Sequence, residues 1–326
     1  MPKRISWKKG MRLTDEVLLA ADRCNDETLG HALALASMGR LGLMPSTRPF
    51  RLSMSVTKGY IEVEALDCLG LTRAGDLIDV QFGTNFTNSY ETRVQIPGGS
   101  EDNDFLLTVN VHPDDWKDAE GGYREPNHTF SLVSSKTALS EHALPIGRIV
   151  NDGGWQEDVN YFVPPCLLVA AHPKYGQLLQ QFLDILQAID SKTRQQLKTP
   201  VRTAIGIYWP VVQQVFVEVN TCREVLTPIQ LLACVQRVVR IFACACDLDD
   251  ILTLEDADVF LNYSSVTYNP SIAYLRIRQG LGMCHAISEK IEKFSLLKEE
   301  PTVAPPPPPK PEPPKDDRRR WSGPNI

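Results

Sequence analysis

The 326-residue sequence has no apolar run long enough to cross a bilayer, which takes about 20 residues. Its longest apolar stretches, Val163 to Ala171 and Leu231 to Ala245, fall short, and the second is interrupted by Gln236, Arg237 and Arg240. Met1-Pro2-Lys3-Arg4-Ile5 is basic but has no apolar segment behind it, so it does not read as a secretory leader. A cytoplasmic protein is expected. A basic excess is also missing: Lys and Arg total 34 against 40 Asp and Glu, for a net charge of -6. That balance excludes sequence-independent nucleic-acid binding, because phosphates are repelled by a surface with no net positive field.

No Cys-x-x-Cys pair occurs among the eight cysteines (Cys24, Cys68, Cys166, Cys222, Cys234, Cys244, Cys246 and Cys284). A structural zinc knuckle is therefore not expected. Cys244 and Cys246 point about 200° apart if helical, which suits neither a disulfide nor a metal. Buried free thiols are the simpler reading. The sequence also lacks a Gly-x-Ser-x-Gly elbow, a phosphate-binding Gly-Lys loop and a His-Glu-x-x-His helix. Gly280-Leu281-Gly282 misses the third glycine of a dinucleotide fingerprint. Catalytic, cofactor-binding and metal-binding residues are therefore assigned as none, with no small-molecule substrate. His31, His112, His128, His142, His172 and His285 are dispersed, and a site assembled from distant residues stays open as an alternative.

What the sequence does contain is an α+β pattern. Phe50 to Val56 and Tyr60 to Ala65 alternate apolar and polar residues around Thr57-Lys58-Gly59, which predicts a hairpin. Leu77 to Phe82, Phe105 to His112 and Thr129 to Val133 are further strands, with turn signals at Pro97-Gly98-Gly99 and Gly121-Gly122. Asp114 to Asn127, rich in charge and glycine, reads as a surface loop. A β-sandwich or barrel over residues 1–170 follows. From about 175 the period changes. Leu178, Leu179, Phe182, Leu183, Leu186 and Ile189 share a helical face. Val201 to Ile207 and Val211 to Val219 fit strands or buried helix, and Pro210 predicts a break between them. Thr227-Pro228 opens a helix with an N-cap and a proline at its first position. Its stripe is Leu231, Leu232, Val235, Val238, Val239 and Phe242.

A last helix spans about Ser271 to Leu297, with Ile277, Cys284 and Ile291 seven apart and Ile287 and Phe294 likewise. That seam suits either packing within one chain or self-association. Residues 171–298 thus form a helical domain. Residues 299–326 hold the proline run Pro305 to Pro309, then Pro311, Pro313 and Pro314, and favour an extended polyproline tail that cannot join a core. It carries Arg318, Arg319, Arg320 and Trp321, the composition of an interface anchor.

The N-terminus reads Trp7-x-x-Gly10-Met11-x-Leu13, with Asp22-Arg23 following. Thr14 suits a helix N-cap, Asp15 and Glu16 suit the helix dipole, and Leu13 with Leu18 suits a hydrophobic staple. Later come Pro145-Ile146-x-Arg148-Ile149, Trp155-x-x-Asp158 and Phe162-Val163-Pro164-Pro165-Cys166-Leu167. These segments, and more weakly Thr227 to Phe242, resemble the TssK family of type VI secretion baseplate proteins over residues 5–245. The family's Pro-Gln-His-Phe after the leucine is replaced here by Asp15-Glu16-Val17-Leu18.

The resemblance implies a homotrimer with a sandwich "shoulder" like those of phage receptor-binding proteins and a helical "neck". The shoulder is expected to bind the wedge proteins TssF and TssG at an inner-membrane-docked baseplate. The family's C-terminal "head", which contacts the membrane complex, is expected to be missing, and the tail to substitute for it. A proline-tailed binding module unrelated to secretion is the remaining alternative.

Overall fold

A computed structural model describes residues 11–12, 14–57, 59–83, 91–98, 102–118, 124–196, 203–247 and 254–296. Trp7, Gly10, Leu13, the Gly121-Gly122 turn and Arg318–Trp321 lie outside them. The first element is the helix Asp15–Ala36 (α1). Thr14 is its N-cap, extended at φ -113° and ψ 159°, and its Oγ1 accepts the Val17 N–H at 3.4 Å. The helix runs thirteen residues past Arg23. Leu18, half of the expected staple, is 47% exposed.

Two antiparallel sheets follow. In the first, the long strand Tyr60–Leu71 (β3) is central. It pairs with Arg51–Val56 (β2) and Gly42–Leu43 (β1), and also with Leu77–Phe82 (β4) and Arg93–Gln95 (β5). The predicted hairpin is the β2–β3 pair, closed by Thr57 N–H donating to the Tyr60 carbonyl at 2.9 Å. The second sheet runs Arg124–Ser134 (β7), Asp104–Asp118 (β6), Ala143–Asn151 (β8) and Trp155–Glu157 (β9). Val63, Leu66, Ile78 and Val80 from one sheet share a core with Leu107, Val109, Leu144 and Ile146 from the other, the expected sandwich.

The loop expected over Asp114 to Asn127 is corrected. Trp116, Lys117 and Asp118 pair with Pro126, Glu125 and Arg124, so β6 and β7 continue as a two-stranded arm. A two-stranded arm carries no apolar-polar alternation in its charged sequence, so the period-2 signal is missing there. Pro113 sits in the register shift between His112 and Trp116, where its missing N–H costs no ladder bond, and Asn127 Nδ2 spans the shift to Asp115 Oδ2 at 2.6 Å.

The helical half comprises Pro173–Gln196 (α2), Thr203–Thr221 (α3), Pro228–Asp247 (α4), Leu254–Ser264 (α5) and Ala273–Leu296 (α6). α4 packs against α3, α5 and α6. Thr227 and Gln230 cap it reciprocally, Gln230 N–H donating to Thr227 Oγ1 and Thr227 N–H to Gln230 Oε1. The predicted α2 face, Leu178 through Ile189, and the whole α4 stripe are buried.

The break at Pro210 is a second correction: α3 runs through it. Tyr208, Val212, Val215 and Val219 bury a stripe on either side of the proline. Four such side chains at roughly 1.5–3 kcal/mol each outweigh the ~3 kcal/mol a helical proline costs. The described part of the α6 seam resolves inward, and the Phe294 side chain lies outside it. Ile277, Cys284, Ile287 and Ile291 are each at most 2% exposed within a single chain, so self-association has no use of them. The core is continuous from the sandwich through Val163, Cys166 and Val169 into the bundle.

Candidate functional site

Of the residues singled out in the sequence, the structure brings Arg148, Asp158, Pro164 and Pro165 together, where the sandwich hands over to the helices. Arg148 projects from β8. Its guanidinium donates twice to Asp104 on β6, Nε to Oδ1 at 2.8 Å and Nη2 to Oδ2 at 2.7 Å, and Nη1 donates to Asp158 Oδ2 at 3.1 Å. Burial would push the Asp104 carboxyl up, but the hydrogen bonds from Arg148 and Ser135 bring it below the ordinary range. The Arg148 guanidinium is correspondingly held more firmly protonated by Asp104. Asp158 also fixes the exit from the sandwich. Its N–H donates to the Arg148 carbonyl at 2.9 Å, and its Oδ1 accepts the Tyr161 N–H at 3.2 Å.

From there Phe162 to Cys166 is buried throughout. Leu43 N–H donates to the Pro165 carbonyl at 2.7 Å, and Leu167 N–H to the Leu43 carbonyl at 2.9 Å. Two prolines enforce this path because neither permits an early helix. A Cβ on Gly42 would lie 2.8 Å from the Cys166 carbonyl carbon, so β1 closes against this segment only as glycine.

A cleft of about 330 Å³ opens beside the ion pairs, between apolar Phe50, Leu52, Ile146 and Phe162 and polar Glu157, His172 and Lys174. Burial raises the Glu157 carboxyl. Burial, and Lys174 nearby, lower His172 to about 4. The His172 ring lies 5.6 Å from Phe50, and its Nδ1 accepts the Lys174 N–H at 3.1 Å. A lowered histidine makes the unfolded chain bind more protons between pH 6.5 and 4. Stability is thus expected to fall through that window as pH drops, by up to about 3 kcal/mol. Urea midpoints at pH 7.5 and 5 check this: His172→Gln should lose less than the parent, and equal losses would contradict it.

Met11 and Asp22 are both exposed, Asp22 on α1, and Arg23 belongs to the same helix.

The nearest arrangement to catalytic chemistry is Thr72, Asp76 and His142. Thr72 Oγ1 donates to Asp76 Oδ2 at 2.6 Å, and His142 Nδ1 lies 2.8 Å from the same oxygen. The carboxylate sits between hydroxyl and imidazole, whereas an activated nucleophile needs the imidazole on the hydroxyl. The group locks the turn before β4, where Asp76 N–H donates back to Thr72 Oγ1 at 3.0 Å. No group of three or more His, Cys, Asp or Glu side chains that could hold a metal occurs among the described residues. Burial pushes the Cys68 and Cys284 thiols up to about 12, which keeps them unreactive, while Cys244 is exposed rather than buried.

Sequence comparison finds no matching family model and no matching curated protein. Solved structures do match. One is TssK from the EAEC type VI secretion system in complex with nanobody nb18, with TM-score 0.56 and 14% identity, over 83% of this chain and 68% of that one. A crystal structure of TssK gives TM-score 0.57 at 13% identity, over 88% and 69%. The chain has the TssK fold. A cryo-electron microscopy structure of the type VI secretion TssK–TssF–TssG baseplate subcomplex matches as well, at TM-score 0.55 and 14% identity, over 89% of this chain and 100% of that one. Within that fold, the Arg148 cluster ties β6 and β8 to the segment that leaves the sandwich at Asp158.

Sequence reasoning quoted Arg148 and Asp158 but missed Asp104, which no local spacing marks. It also missed the close approaches at Gly42 and Gly280. An isolated glycine inside a strand or helix pattern was the available signal.

Proposed function

We propose that this protein is a non-enzymatic baseplate component of a type VI secretion system, a homotrimeric adaptor linking the baseplate wedge to the membrane-side complex. One observation carries the reading: the TssK fold extends over 83–89% of the chain, and one matching structure is a baseplate subcomplex with TssF and TssG. The partners are accordingly TssF and TssG, bound by the sandwich. Residues 1–170 act as shoulder and 171–298 as neck. The neck contributes the contacts between copies, for which Val217, Val225, Val259 and Leu261 supply exposed apolar surface. No described helix is long and apolar enough to cross a membrane. Membrane-side contact is therefore assigned to partners gripping Arg318 to Trp321 at the end of the proline tail.

Co-expression with the TssF and TssG proteins of the same genome tests this. The full chain should co-purify with both. Removing residues 301–326 should leave that complex intact and abolish one membrane-side co-purification. Elution without either wedge protein would contradict the adaptor reading, and retention of every partner by the truncated chain would contradict the role of the tail.

A further inference from the structure

α1 has no fully buried residue among those whose burial is described. It touches the sandwich through its C-terminal half, where Gly30 and Ala34 meet Gly75 at φ +95°. A Cβ on Gly75 would overlap the Gly30 carbonyl, so this contact is close but narrow. The opposite face is a stripe at 4-3-4-3-4 spacing, Leu18, Asp22, Asn25, Leu29, Ala32 and Ala36, every member exposed. Leu29 is 56% exposed, and Leu35 and Met38 beside the end of the helix are 80% and 72%. Such a surface on a 22-residue helix calls for a cover.

Charge selects among covers. α1 carries Asp15, Glu16, Asp22, Asp26 and Glu27 against Arg23 alone. A second copy of the same stripe would set acidic helix against acidic helix, with Asp22 facing its own kind. The chain holds a segment of opposite chemistry, three arginines followed by a tryptophan at Arg318–Trp321. Reach permits the meeting. Tyr268, five residues ahead of α6, is near enough to Arg40, four residues past α1, to feel its charge. α6 leads away for about 36 Å at 1.5 Å per residue. The residues from Leu296 to Arg318 span up to about 68 Å at the polyproline rise.

We infer that Arg318–Trp321 docks on the outward stripe of α1 in the same chain, tryptophan against Leu18 and Leu29 and guanidinium groups against Asp22 and its acidic neighbours. This is the resting place of the tail anchor before a partner takes it. The experiment uses the isolated full chain, so its outcome is independent of whether wedge proteins bind.

Backbone hydrogen exchange of α1 is compared between the parent and the full-length variant R318E/R319E/R320E/W321A. Amides of residues 22–36 should exchange about tenfold faster or more in the variant. Leu29→Asn with the native tail should reproduce part of the loss, and 0.5 M salt should narrow the difference. Protection should be unchanged on dilution, because the contact is intrachain. Equal exchange in parent and tail variant overturns the inference and assigns the stripe to residues 1–10 or to another protein. Protection that rises with concentration and survives the tail variant also overturns it, in favour of a second copy.

Discussion

Gly280→Ala is expected to destabilise the protein by about 3 kcal/mol, while Gly282→Ala, two residues along the same helix, stabilises it by about 0.5–1 kcal/mol. A Cβ at Gly280 would overlap the Tyr263 hydroxyl and come within 2.5 Å of Val235 Cγ1. Neither neighbour can give way. Val235 is 0% exposed in the α4 stripe. Tyr263 is buried and donates its hydroxyl proton to the Arg276 carbonyl at 2.9 Å, so moving it also unmakes a buried hydrogen bond. An added methyl at Gly282 meets nothing within 4 Å, and alanine simply reduces the freedom of the unfolded chain. Urea denaturation of the two variants should give midpoints on opposite sides of the parent. Two shifts of the same sign would mean that α6 does not pack on α4 and α5 as described.

Arg148→Met should cost about 3 kcal/mol. The change strands two carboxylates, Asp158 with only 9% of its side chain exposed and Asp104 with 29%. Removing one member of a partly buried charge cluster costs more than the cluster contributes, because the remaining charges keep their desolvation without their partner. Arg148→Lys should recover only part, since an ammonium cannot make the paired bonds to Asp104 together with the third to Asp158. The pH dependence carries a sign. Asp104 is lowered in the folded chain, so its contribution is present above the unfolded value near 3.9 and is lost as pH falls through the folded value. The gap between parent and Arg148→Met should therefore narrow below about pH 4. A gap that is constant with pH would assign the loss to packing alone.

These two positions also mark what the sequence could and could not reveal. The period-2 run after Gly59, and the apolar stripes of α2 and α4, announce their elements because one face of each is buried, while in the run before Gly59 Leu52 and Met54 are partly buried against the core. β8 escaped notice although Pro145 to Ile149 had been singled out. Ala143 to Gly147 is buried throughout, so no alternation exists there to read. α5 was missed too. Its surface mixes buried Phe260 and Tyr263 with exposed Val259 and Leu261. The heptad-like spacing in α6 was visible, but spacing cannot say whether the groove it fills belongs to the same chain. Arg148 and Asp158 stand out in the sequence as separate residues of two nearby segments, while their pairing, and Asp104 from 44 residues away, come from the fold. Pro210 misled because the rule against helical proline is a cost of fixed size, and the apolar stripe around it exceeds that cost.

The central claim is an assembly of three copies. The mass of the full-length protein in dilute solution, measured by light scattering or native mass spectrometry, tests it most directly. Three copies of a 36.5 kDa chain, stable on dilution, are expected. A monodisperse particle with the mass of a single chain would contradict the account.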